Sequence, residues 1–172
     1  SSSNRQTIEN NTIMSMSAGV HGIRLLTSNG SIVSRNNVTT NDTSSHGIFL
    51  STSANTNTIS INTINTTGSS SRGIYASVSD INNITANTII TSGGSSVGII
   101  SEGSLKYASS NTIRTLGTDG YGIRINRAAA NNVSGNSVNA SGLTAYGIYI
   151  SDSNSSNVTG NVINASGTSS RG

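Results

Sequence analysis

The sequence predicts an all-β protein, a parallel β-solenoid of about seven coils with three short strands per coil. Three observations lead there. A Gly-Ile pair recurs about every 25 residues; the large apolar residues are nearly all β-branched; and every period holds three short apolar stretches separated by turn residues.

Composition sets the limits first. Of 172 residues, 35 are Ser, 24 Asn and 21 Thr, whereas Ile, Val, Leu and Phe together number 37. Such proportions occur in disordered chains, but disorder is usually kept by high net charge. Here charged residues are 9% and the net charge is +3. Thirty of the 37 large apolar residues are Ile or Val, which suit strands and fit poorly in helices. With 19 Gly, no Pro and no long apolar run, an ordinary helical domain is not expected.

Several function classes fall away with it. No Cys is present, which rules out a disulfide scaffold, a thiolate metal site and a Cys nucleophile. No apolar stretch is long enough for a membrane span. The sequence pI is near 9.7, but eight Arg and one Lys lie scattered among six acids rather than in a basic run. A nucleic-acid partner is therefore not expected. The chain opens on a run of Ser without a leader pattern and reads as a mature chain or an excised segment, a single solenoid unit over residues 1–172.

The repeat is defined by Gly22-Ile23, Gly47-Ile48, Gly73-Ile74, Gly98-Ile99, Gly122-Ile123 and Gly147-Ile148, with Gly172 where a seventh pair would start. Fourteen residues before each Gly stands Ile8, Val33, Ile59, Ile84, Ala108, Val133 or Val158, the centre of a first strand. Eleven before it is always Asn: Asn11, Asn36, Asn62, Asn87, Asn111, Asn136 and Asn161. Two residues further on come Ile13, Val38, Ile64, Ile89, Ile113, Val138 and Ile163, a second strand, and Gly-Ile opens a third. A second glycine, at Gly68, Gly93, Gly117, Gly142 and Gly167, marks a turn where positive φ costs little. Length varies only between each Gly-Ile and the next first strand, which marks a surface loop. Coils stacked about 4.8 Å apart give a rod roughly 34 Å long.

The Asn-x-Ile/Val and Gly-Ile pattern at this period resembles the parallel β-helix repeats of the pectate-lyase-like superfamily along the whole chain. The resemblance implies a right-handed coil and a structural Asn ladder. It leaves activity open, because that superfamily holds lyases, hydrolases, epimerases, tailspikes and adhesins.

Read as columns, the Asn faces inward at a corner, where a buried amide must find partners in the neighbouring coils. Bulky residues fall in two further columns. The residue before each Gly is His21, His46, Arg72, Val97, Tyr121, Tyr146 or Arg171, and the residue two after it is Arg24, Phe49, Tyr75, Ile100, Arg124 or Tyr149. The second column faces solvent by alternation. The first would bury Arg72 and Arg171 unless the glycine bends the chain and turns it outward. The expected result is one exposed stripe of aromatic, Arg and His side chains, which either covers a sheet edge or shields a following domain, or is suited to stacking on a glycan or packing on another protein.

Catalytic and metal chemistry find less support. The six acids, Glu9, Asp42, Asp80, Glu102, Asp119 and Asp152, share no repeat position, and the nearest group is Asp80, Glu102 and Lys106 in adjacent loops. His21 and His46, with Met14 and Met16 nearby, lack the carboxylates or thiols of a metal site. Gly117-Thr118-Asp119-Gly120 occurs once and lacks a nonapeptide Ca²⁺ repeat, and the single Thr column beginning at Thr12 is not an ice-binding face. Neither catalysis, nor a cofactor, nor a metal is expected.

Neither end reads as a solenoid cap, so the segment is expected within a longer solenoid or in end-to-end or lateral association with other copies. The functional expectation is an extracellular or cell-surface structural, adhesin or fibre segment. Its rival is the non-catalytic part of a polysaccharide lyase or hydrolase.

Overall fold

The computed structural model describes residues 4–172, so the first three residues of the expected 1–172 unit lie outside the described residues. All regular structure is strand. Sheet 1 stacks Thr7–Glu9, Ile32–Ser34, Thr58–Ser60, Asn82–Thr85, Leu105–Ser109, Asn132–Ser134 and Asn157–Thr159. Sheet 2 stacks Thr12–Ser15, Asn37–Thr40, Thr63–Thr66, Thr88–Thr91, Thr112–Thr115, Ser137–Ala140 and Val162–Ala165. Sheet 3 stacks Ile23–Leu26, Ile48–Ser51, Arg72–Ser77, Val97–Ser101, Tyr121–Asn126 and Tyr146–Ser151. Every pairing is parallel and joins each strand to the equivalent strand one coil away, as with Ile64↔Ile89 and Ile99↔Ile123. The chain therefore makes six full coils and adds two strands of another, with Arg171 bridging to Tyr146, rather than seven whole coils.

The core is narrow. In the coil that begins at Thr58, Ile59, Ile64, Ile74 and Ala76 are fully buried. Each buried Ile contributes roughly 1.5–3 kcal/mol relative to an exposed one.

Asn fills the corner between sheets 1 and 2. Asn87 Nδ2 donates to Ile59 O (2.9 Å) in the coil before, to Thr85 O (3.1 Å) and to Asn111 Oδ1 (3.0 Å) in the coil after. Its Oδ1 accepts from the backbone N and Nδ2 of Asn62, both at 3.0 Å. The same links run from Asn11 through Asn36, Asn62, Asn87, Asn111 and Asn136 to Asn161. The bend itself is made one residue earlier. Asn10, Arg35, Ile61, Ala86, Ser110, Gly135 and Gly160 all have φ between 55° and 63°, the left-handed conformation that β-branched residues adopt at a cost.

A second ladder was not visible in the sequence. Asn57 N and Nδ2 donate to Asn82 Oδ1 (2.8 and 3.1 Å), Ser31 N donates to Asn57 Oδ1 (2.8 Å), and Leu105 N donates to Asn131 Oδ1 (2.8 Å). The ladder breaks at Leu105, which pairs with Asn82 while Tyr107 pairs with Asn83, so that Lys106 bulges out of register, and the buried Asn82 Nδ2 is left without an acceptor.

Both glycine columns are required for space, which corrects the expected reason for the second. None of Gly68, Gly93, Gly117 and Gly142 has positive φ. A Cβ on any of them would overlap the carbonyl of the turn stacked below, such as Asp42 O beneath Gly68. In the Gly-Ile column, a Cβ on Gly73 would overlap Ile89 Cγ2 of sheet 2 and stand 2.6 Å from Gly98 O. Sheets 2 and 3 pack closely only because that side chain is missing.

Candidate functional site: the outer face of sheet 3 and its groove

Both bulky columns stand on the outer face of sheet 3. The isoleucine of each Gly-Ile pair points into the core, and the glycine before it also faces inward, against sheet 2. Two inward positions in succession leave the residue before the glycine and the residue two after it on the same outer side. His46 thus lies 5.4 Å from Phe49, and Tyr146 lies 5.5 Å from Tyr149, between ring centroids.

The side chains are largely covered by one another, which departs from the expected free, exposed stripe. Coil spacing is close to the separation of offset-stacked rings, so equivalent rings in adjacent coils stack. His21 stacks on His46 at 4.7 Å, Phe49 on Tyr75 at 5.0 Å, and Tyr121 on Tyr146 at 4.9 Å. Guanidinium groups cover remaining faces: Arg24 over Phe49 (5.6 Å), Arg72 over Tyr75 (4.4 Å), Arg124 over Tyr121 (5.1 Å) and Tyr149 (5.9 Å), and Arg171 over Tyr146 (6.0 Å). His46 keeps only 5% of its surface; Arg24 and Arg171 are exposed, and the other stripe residues are half-buried. Most ring faces are occupied. What a partner meets is ring edges, Tyr hydroxyls and guanidinium N–H groups.

The stripe falls into two blocks. Val97 and Ile100 interrupt it, and although they belong to the outward columns they are buried. The first block, His21, Arg24, His46, Phe49, Arg72 and Tyr75, holds no acid. Burial, and then Arg72 and His21, lower the His46 pKa to about 3; burial and Arg24 lower that of His21 as well. The second block, Tyr121, Arg124, Tyr146, Tyr149 and Arg171, borders an open groove.

That groove has a volume of about 440 Å³ and is lined by Val78, Glu102, Arg124, Asn126, Arg127, Ser151 and Asp152. Glu102 Oε2 accepts from Tyr75 Oη (2.7 Å) and Ser77 Oγ (3.2 Å). Burial foremost raises the Tyr75 pKa, with Glu102 adding to the rise and Ser77 opposing it. With its oxygen toward the guanidinium, the Asn126 amide accepts from Arg124 Nε (3.1 Å) and Nη2 (3.3 Å) and donates to Ser151 Oγ (2.8 Å). Acceptors from two coils thus flank donors from the coil between them.

The expected acidic group does not converge here. Asp80 belongs to a loop ladder: Asn55 N donates to Asn29 Oδ1 (2.8 Å), Asp80 N to Asn55 Oδ1 (2.6 Å), and Ser104 N to Asp80 Oδ1 (2.7 Å). Lys106 lies over Tyr107 (5.7 Å) and lines a separate apolar hollow with Ile81, Leu105 and Ala129. Only Glu102 of the three reaches the groove, and its companion there is Asp152. The signal was present but shifted: Glu102 is four residues after Gly98 and Asp152 five after Gly147, and the coil of Glu102 is one residue short. Among the described residues no three His, Asp or Glu side chains stand together where a metal ion would sit, and Met14 is exposed on the outer face of sheet 2. No helix is long and apolar enough to cross a membrane.

Three parallel sheets, stacked coil on coil with an Asn ladder at one corner, agree with a comparison to known families, in which residues 1–166 match the right-handed beta helix region. The chain belongs to the right-handed beta helix family. The handedness of the coil follows from that membership. No curated protein and no solved structure matches the chain significantly, and the right-handed beta helix fold by itself leaves function open.

Proposed function

We propose that this chain is a non-catalytic structural or adhesin-type β-helix segment of an extracellular or cell-surface protein, and that sheet 3 makes contact with a glycan or another protein chain. One observation carries the reading. Both His, the one Phe, four of the five Tyr and four of the eight Arg stand on one face, beside the groove, while the other outer faces carry mostly Ser, Thr and Asn. Because most ring faces are occupied, the contact is made by polar groups. A sugar ring in the groove would give hydroxyl protons to Glu102 and Asp152 and accept from Arg124 and Arg127.

A glycan array read with the wild-type chain and with Arg127→Ala tests this. Binding that drops at least tenfold in the variant, with an unchanged melting temperature, supports the reading. No glycan or protein binding, or binding indifferent to Arg127, refutes it.

A second reading is favoured by Glu102 and Asp152 lining one groove across a single intervening coil: part of a polysaccharide-active enzyme. Product formed from uronic-acid polymers and lost in both Glu102→Gln and Asp152→Asn would replace the first reading with this one.

A further inference from the structure

The first block of the stripe contains more hydrogen-bond donors than its own residues can accept. His46 N donates to His21 Nδ1 (3.2 Å), and Arg72 N donates to His46 Nδ1 (3.3 Å). A ring nitrogen that accepts from a backbone amide carries no proton, so the neutral imidazole must bear its proton on Nε2. Yet Arg72 Nη1, which can only donate, stands 3.2 Å from His46 Nε2. If the proton moves to Nδ1 to receive the guanidinium, the Arg72 amide loses its acceptor instead. In either tautomer three N–H groups share one lone pair, around a ring with only 5% of its surface exposed. Arg72 Nε is also buried without an acceptor.

No carboxylate relieves this. Among the described residues the one ion pair is Arg35 with Glu9 (3.9 Å), in the first two coils of sheet 1 and its corner. Around His46 stand His21, Phe49, Tyr75 and Arg72, with Arg24 above the Phe49 ring. One carboxylate, Glu102, meets the block through Tyr75 Oη (2.7 Å) but forms no ion pair with Arg72. Low burial-depressed basicity keeps the imidazole neutral near pH 7, so its Nε2–H serves as a fixed donor rather than a second cation.

We propose that the His46–Arg72 pair is a binding site for an oxyanion, a carboxylate or a sulfate group, whose oxygen accepts from His46 Nε2–H and Arg72 Nη1–H together. One oxygen at ordinary hydrogen-bond distance from both nitrogens closes a triangle on their 3.2 Å separation. It also supplies the negative charge that the His46–Arg72 pair lacks. The site is separate from the groove and stands whether or not the groove holds a glycan.

Titration with sodium sulfate and with sodium glucuronate, against sodium chloride at matched ionic strength, distinguishes the two sources of the group. The readouts are the imidazole ¹⁵N signals of His46 and His21 and the melting temperature. A saturable shift of His46 with one salt or both, absent with chloride, supports the site and names its preferred group. Arg72→Gln is expected to weaken that binding at least tenfold, while Arg35→Gln, which removes the same charge elsewhere, leaves it unchanged. Should Arg72→Gln not fold, Arg72→Lys serves in its place: it keeps the charge, loses the fork, and is expected to bind more weakly than wild type. Responses to sulfate and glucuronate that match chloride, or that survive the Arg72 substitution intact, overturn the proposal.

Discussion

Replacing Asn87 by alanine would strike the ladder at its middle. The two N–H groups of the side-chain amide are shared among three acceptors, Ile59 O, Thr85 O and Asn111 Oδ1, and its oxygen receives two bonds, from Asn62 N and Asn62 Nδ2. Not all of these losses are equal. Asn62 Nδ2 keeps Val33 O, and Asn111 Oδ1 keeps the Asn87 backbone N–H. The Asn62 backbone N–H, buried in the next coil down, loses its partner outright. An orphaned buried amide costs about 1–3 kcal/mol, and the four other lost contacts add roughly 0.5 each after relaxation, so a destabilisation of about 3–5 kcal/mol is expected.

Asn11→Ala is the internal control. Asn11 is exposed, donates to Glu9 O (2.9 Å) and Asn36 Oδ1 (3.0 Å), and its replacement leaves Asn36 Oδ1 the Asn11 backbone N–H. Its loss is expected to cost about 1 kcal/mol or less. Urea unfolding of the two variants measures the difference, and hydrogen exchange locates it, because protection at the Asn62 amide should fall in Asn87→Ala alone. Equal costs for the two variants, or a neutral Asn87→Ala, would refute the assignment of ladder stability to buried amide satisfaction.

Three further outcomes are expected. Ile61 is 53% exposed and held at φ 59°, so Ile61→Asn should stabilise the fold by about 0.5–1 kcal/mol in the same urea assay; destabilisation would mean that the Ile61 side chain makes a contact worth more than the strain. Gly73→Ala, which must push against Ile89 and Gly98 O, should cost at least about 2 kcal/mol and separate sheets 2 and 3 locally; a melting temperature equal to wild type would refute the close approach. Because the His46 pKa is lowered to about 3, the unfolded chain takes up a proton near pH 6.5 that the folded chain refuses. Stability should therefore fall as pH drops from about 6.5 toward 3, by at most about 1.4 kcal/mol per pH unit from this group. His46→Phe should flatten that slope, and an unchanged slope in the variant would place His46 in solvent.

What the sequence made legible was whatever repeats in nearly every coil. The seven ladder Asn and the Gly-Ile pairs are such columns, and together they identify the strands and their stacking. Asn57, Asn82 and Asn131 form a ladder by the same physics, yet the column also holds Gln6, Ser31 and Ser156 and is displaced at Leu105, so identity alone does not show it. The role of Gly68 and its equivalents is not legible in the sequence because glycine answers two needs, positive φ and close approach, that only the structure separates. The nearness of Glu102 to Asp152 is hidden in the sequence because one short loop shifts the numbering between coils.

The stripe raises a more general point about solenoids. Columns impose a spacing of about 4.8 Å on whatever they carry, and that spacing suits stacked rings. An uninterrupted aromatic column therefore satisfies itself, with Phe49 on Tyr75 and Tyr121 on Tyr146, and arginines close the remaining faces. Such a column stiffens the outer face but offers a ligand little apolar area. On the proposed reading, recognition belongs to the places where the column fails to satisfy itself. There are two on sheet 3: the groove, where the charges of Glu102, Arg124, Arg127 and Asp152 alternate across coils, and the His46–Arg72 pair, where donors outnumber acceptors. Each differs from the tyrosine stack in having polar valences open, and those are the groups through which a partner can gain more than it displaces from water.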